Sequence, residues 1–144
     1  MTNNKTKLLF ICTHNRCRSQ MYQVLANALF PEHVIAKSAG SQPADAVNDG
    51  ALAALNRHGY DTDGLYSKSW DELEDFNADL IVTVCDSAAG EVCPVWFGDT
   101  NKAHWSTEDP SAFQGSPEAQ SAEFDRVIEV IKNNLHEWSN QSLT

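Results

Sequence analysis

Eight consecutive residues, Cys12-Thr13-His14-Asn15-Arg16-Cys17-Arg18-Ser19, gather thiols, guanidiniums and a hydroxyl in one short stretch. The run before it, Lys7 to Cys12 (KLLFIC), is nearly all apolar and reads as a strand buried on both faces. After it, Met21, Leu25, Ala26 and Leu29 recur at helical spacing until Phe30-Pro31 stops the pattern. A loop between a buried strand and a helix start turns backbone N–H groups, and the positive end of the helix dipole, toward one point. That arrangement binds tetrahedral oxyanions. The expected donors are the N–H groups of Thr13, His14, Asn15, Arg16, Cys17 and Arg18, joined by the Arg18 guanidinium, which can fork two hydrogen bonds onto an anion. Cys12 opens the loop in the same field, which predicts a thiol pKa below about 7. Ser19 can donate its hydroxyl to the thiolate, and Asn15 suits the left-handed backbone that a tight loop needs. A C-x5-R spacing alone is a common accident; its position between strand and helix gives it weight.

A thiolate that attacks an oxyanion needs an acid for the departing oxygen. Asp109-Pro110, between a short fourth strand and the last helix, could overhang the pocket, although by itself the pair is ordinary turn chemistry. Cys85 ends the apolar run DLIVTVC, and in an open α/β sheet the carboxyl ends of strands share one crevice. Cys93 follows after seven intervening residues that begin with the mostly small stretch Asp86 to Gly90, a flexible connection by composition. Two bland alternatives stay open: buried cysteines acting as small hydrophobes, or a zinc site. The second lacks a C-x2-C pair and would need His104, so neither metal nor cofactor is expected.

The elements that must position these groups are legible as pattern. Strands are expected at Lys7–Cys12, His33–Ser38, Asp79–Cys85 and Lys102–Trp105. Helices are expected from Arg18, over Ala44–His58 with Gly59 as its C-cap, in a short piece at Ser69–Phe76, and over Pro117–Trp138 with a frayed tail from Ser139. Alternation of this kind predicts an α/β fold, a four-stranded parallel open sheet flanked by helices on both faces, as a single domain over residues 1–144. The formal charge of −10 argues against nucleic acid or an anionic membrane as partner, so an anionic substrate must be captured locally. The start is too weakly apolar for a signal peptide, and four cysteines without one fit a reducing cytoplasmic setting.

The run CTHNRCRSQM resembles the signature loop of the low-molecular-weight protein tyrosine phosphatase superfamily. Within it the chain is similar to the thioredoxin-coupled arsenate reductases. The likeness extends through Ser38-Ala39-Gly40, the VTVC strand, Cys93-Pro94, His104-Trp105 and Asp109-Pro110. It implies a low-molecular-weight-phosphatase-like fold, with Cys12 as nucleophile, Arg18 as anion-binding arginine, Ser19 as thiolate stabiliser and Asp109 as general acid. Asn15 and Ser38 match the pair that holds the loop by hydrogen bonding. It also implies a relay in which Cys85 resolves Cys12 and Cys93 resolves Cys85. The implied substrate is arsenate, with phosphate or sulfate as mimics, and the reductant is thioredoxin, or glutaredoxin with glutathione. Two departures stand out: His14 where the family usually has glycine, and a Cys85–Cys93 segment one residue longer than in the best-known members. Ser111 follows Asp109-Pro110 where phosphatases of the superfamily carry an aromatic wall, which favours a small inorganic substrate. The rival readings are a phosphatase hydrolysing phosphate monoesters, and a thiol protein that binds arsenite or senses oxidants. Cys17 reads as structural or as a site of accidental oxidation.

Overall fold

A computed structural model of the protein describes residues 5–85 and 97–142. Four strands, β1 (Thr6–Ile11), β2 (Val34–Ala39), β3 (Leu80–Thr83) and β4 (Asn101–His104), form a parallel sheet in the order β2-β1-β3-β4. The central strand β1 carries Leu8, Leu9, Phe10 and Ile11, all fully buried, which is what a strand covered on both faces demands. Leu9 pairs with Lys37 on one side and Ile81 on the other, and Phe10 with Ser38 and Val82. Because β1 sends one crossover to β2 and its other neighbour is β3, chain order reverses at its carboxyl end. A crevice opens at such a point.

Among the described residues, three α-helices flank the sheet: α1 (Arg18–Leu29), α2 (Asp49–Arg57) and α3 (Pro117–Ser142). Tyr22 of α1 stacks on Phe10, and Trp105 completes the aromatic cluster, so α1 covers the face to which Phe10 points. On the other face, two short 3-10 turns over Trp70–Phe76, kinked at Leu73, place the Phe76 ring beneath the ammonium groups of Lys7 and Lys37. The apolar stripe of α3, Phe124, Val127, Ile128, Ile131 and Leu135, is buried throughout.

Two helix boundaries differ from the sequence expectation. The second helix begins at Asp49 rather than Ala44, because Asn48 is its N-cap and accepts from the Ala51 N–H at 3.0 Å. It ends on a Schellman turn: the N–H groups of Gly59, at φ 85°, and Tyr60 return to the carbonyls of Asn56 and Leu55. The last helix runs past Trp138 to Ser142, with the Ser139 hydroxyl returned to the His136 carbonyl at 2.8 Å. Among the described residues, no helix is long and apolar enough to cross a membrane.

Candidate functional site

The loop of residues 12–17 leaves β1 and enters α1 at the crevice. Its shape is set from outside. The carbonyls of Thr13, His14 and Arg16 accept from the backbone N–H groups of Gln42 (2.9 Å), Ala44 (2.9 Å) and Asn48 (2.8 Å). The Asn15 carbonyl takes the Gln20 side-chain amide at 3.0 Å. Four successive carbonyls of the loop are thereby engaged by neighbouring segments. Among the described residues, nothing accepts from the N–H groups of His14, Asn15, Arg16, Cys17 or Arg18. Gly40 makes the fit possible, since a Cβ there would lie 2.3 Å from the Cys12 carbonyl oxygen and 2.4 Å from that of Thr13.

Asn15 sits at φ 48°, in the left-handed region expected of it. Its side chain donates to Ser19 Oγ at 2.8 Å and accepts from Gln20 Nε2 at 2.9 Å and from the Lys68 N–H at 3.0 Å. Of the two residues expected to support the loop, Asn15 makes these bonds directly and Ser38 bonds to α1. The Ser38 hydroxyl donates to Gln23 Oε1 at 2.6 Å, because β2 turns it toward α1, where Gln23 already waits. Gln20 and Lys68 therefore support the loop. Gln20 went unread because one polar residue in a helix carries no spacing signal. His14, exposed, closes on Gln42, its Nδ1 lying 2.9 Å from the Gln42 carbonyl oxygen.

One cavity of about 130 Å³ is lined by Cys12, Thr13, His14, Arg16, Cys17, Arg18, Cys85 and Asp109. Ser19 Oγ lies 3.1 Å from Cys12 Sγ, and Cys85 Sγ accepts from the Thr13 N–H at 3.4 Å. Arg18 Nη1 donates to the Thr107 carbonyl at 3.0 Å, and Nη2 lies 3.7 Å from Asp109 Oδ2. Arg18 Nε is buried with no partner among the described residues. Arg18 itself lines the cavity, so its guanidinium is placed to meet a bound anion. Asp109 is held by Ser111, whose N–H and hydroxyl both reach Oδ1, at 2.9 and 2.6 Å, leaving Oδ2 toward Arg18. Arg16 Nη1 donates to Ser111 Oγ at 3.3 Å. A group of three or more potential metal ligands does not occur among the described residues. His104 bonds to Thr83 on the sheet edge, outside the cavity lining. Cys93 lies outside the described residues.

Ionisation of Cys12 departs from the sequence expectation. A hydrogen bond shared with the Cys85 thiol and then burial push it well above the ordinary thiol value, against the pull of the Ser19 hydroxyl and N–H. Two adjacent buried thiols titrate as a pair, and the second charge is the costly one. Replacing Cys85 by alanine should move the Cys12 titration down, read as thiolate absorbance against pH with Cys12→Ser as blank. An unmoved or higher midpoint would refute the coupling.

Cys17, 4% exposed, packs its sulfur 3.9 Å from Met21 Sδ. Burial, with the Asp109 carboxylate, pushes its pKa up to about 12, above an ordinary thiol near 8.5. Sign follows directly. Any stability this contributes is full below the unfolded value and is lost as pH rises toward 12. At pH 8 the folded protein should leave Cys17 unalkylated by iodoacetamide, while unfolding in denaturant exposes it. Peptide mapping that finds Cys17 among the first thiols labelled would contradict this environment.

Comparisons with known proteins agree with this geometry. The family model described as low molecular weight phosphotyrosine protein phosphatase matches residues 7–144. An arsenate reductase of Bacillus subtilis is 36% identical over 132 residues, covering 92% of this chain and 94% of the relative. The solved arsenate reductase of Archaeoglobus fulgidus is 28% identical with a TM-score of 0.71, covering 90% of this chain and 98% of that one. A tyrosine phosphatase of Erwinia amylovora, 23% identical, shares the fold with a TM-score of 0.71 over 98% of this chain and 93% of its own.

Proposed function

This chain belongs to the low molecular weight phosphotyrosine protein phosphatase family, and from that premise we propose that it is an arsenate reductase. The observation that carries the reading is the second thiol: Cys85 lines the same cavity as Cys12, where a hydrolytic phosphatase has no use for it. The named activity of relatives about a third identical over nearly the whole chain supports it.

In the proposed reaction, Cys12 passes its proton to an oxygen of the bound arsenate, its thiolate attacks arsenic, an As–S bond forms, and one oxygen leaves as water with a proton from Asp109. The loop N–H groups and the Arg18 guanidinium hold the remaining oxygens. Covalent capture consumes the charge on Cys12, so Cys85 can then ionise without a like-charged neighbour. Its thiolate attacks Cys12 Sγ, an S–S bond forms, and the As–S electron pair stays on arsenic. Arsenic(V) thereby leaves as arsenite, arsenic(III), and the two thiols have supplied both electrons. Cys93, assigned from sequence alone, attacks Cys85, frees Cys12 as thiolate, and leaves a Cys85–Cys93 disulfide for a dithiol reductant of the thioredoxin type. Glutaredoxin with glutathione is the other candidate.

The test is arsenate-dependent NADPH consumption with thioredoxin and thioredoxin reductase, run beside glutathione and glutaredoxin. Turnover with the first system is expected. Brisk hydrolysis of p-nitrophenyl phosphate without any arsenate reduction would hand the site to phosphatase chemistry.

A further inference from the structure

Arg18 lines the cavity with its Nη1 tethered to the Thr107 carbonyl at 3.0 Å, which fixes the plane and direction of the guanidinium. What holds Thr107 is a hydrogen-bond chain that runs in one direction. Asn134 Nδ2, on α3, donates to the Tyr22 hydroxyl oxygen at 2.9 Å. Tyr22 lies 2.7 Å from Thr107 Oγ1, and Thr107 Oγ1 itself donates to the Trp105 carbonyl at 2.9 Å. With its own proton committed to Trp105, Thr107 Oγ1 must accept from Tyr22. Burial pushes the Tyr22 phenol up, so it keeps the proton that it donates. The Thr107 N–H, meanwhile, is fixed on the Val84 carbonyl at 3.1 Å, one residue before Cys85. Tyr22 and Thr107 are both buried, 0% and 5% exposed, so each missing bond would leave an unsatisfied group rather than be replaced by water.

We propose that Tyr22 and Asn134 are positioning residues that act through Thr107 to aim the anion-binding guanidinium of Arg18. This rests on reading the Cys12–Arg18 cavity as an oxyanion site. Neither side chain lines that cavity. Tyr22 stacks on Phe10 with centroids 5.0 Å apart, so Tyr22→Phe keeps the packing and deletes only the hydroxyl.

The experiment is calorimetric titration with inorganic phosphate, which needs no turnover, on wild type, Tyr22→Phe and Asn134→Leu. Each is measured again in an Arg18→Lys background. Lysine keeps the charge but has no planar edge to aim. Tyr22→Phe should weaken phosphate binding about five- to tenfold and Asn134→Leu less, the size of one buried hydrogen bond. In the Arg18→Lys background neither substitution should matter further, whereas a general structural defect would weaken binding equally in both. Wild-type affinity in folded Tyr22→Phe and Asn134→Leu, or the same loss in both backgrounds, would overturn the relay. Should Tyr22→Phe fail to fold, Asn134→Leu, partly exposed on α3, decides alone. If wild type binds phosphate but reduces no arsenate, the reductase reading fails while the relay is still judged by its own titration. Failure of wild type to bind phosphate defeats both.

Discussion

Arg18→Ala should lower arsenate turnover by about a hundred- to a thousandfold, the range for losing a preorganised donor to a transition-state oxyanion. The expectation is large because the guanidinium is fixed before substrate arrives. Nη1 is on Thr107, Nη2 faces Asp109 at 3.7 Å, and the buried Nε has no partner among the described residues. An anion held in the cavity would meet a guanidinium already in place, and a desolvated charge-assisted bond is stronger than its counterpart in water. Global stability should fall by about 1–3 kcal/mol, because the long, partly exposed Arg18–Asp109 pair contributes little while the Thr107 carbonyl loses its guanidinium donor. The measurement is steady-state arsenate reduction with thermal unfolding as control. Near-normal turnover would place the substrate elsewhere.

The second large effect separates the cysteines. Cys85→Ser should abolish reduction by the intramolecular route, because serine cannot attack Cys12 Sγ to take the As–S bond apart. Cys93→Ser should complete one turnover and then stall as a Cys12–Cys85 disulfide, visible by mass mapping. That disulfide would lie between two sulfurs that are each about 5% exposed or less, so a protein reductant has little access to either. Hydrolysis of p-nitrophenyl phosphate, if present in wild type, should survive both substitutions. Single-turnover and multiple-turnover assays with thioredoxin distinguish the cases. Sustained reduction by Cys93→Ser would sink the three-cysteine relay in favour of an external thiol.

Much of the molecule is legible in the sequence because its signals are local. KLLFIC and DLIVTVC can only be interior strands, and the loop between β1 and α1 concentrates Cys12, Asn15, Arg18 and Ser19 in eight residues. These four, with Cys85 and Asp109, do come together around one crevice. What was not legible depends on contacts between distant segments. Gln20 bonding to Asn15 and Tyr66, Ser38 turning to Gln23, and Thr107 holding Arg18 have no spacing pattern to announce them. The raised Cys12 ionisation belongs to the same class. Helix end, Arg18 and Ser19 are neighbours in sequence and argue for a low value. The opposing neighbour, Cys85, arrives from another strand.

The segment from Gln42 to Asn48 shapes the anion loop through main-chain groups, three N–H donors and the Gln42 carbonyl beside His14, and every residue type but one supplies such donors. Side-chain identity at Gln42 and Ala44 is thus free to drift while the pocket stays put, whereas Asn48 also caps α2 with its side chain. The substitution the segment cannot absorb is proline at 42, 44 or 48, where the donor itself would vanish. Pro43 already stands between two of these positions, at a place where no N–H is asked for. Gly40 is the reverse case, closed to anything that carries a Cβ. Among descendants of this chain, the stretch that looks least constrained would still be holding the loop in shape.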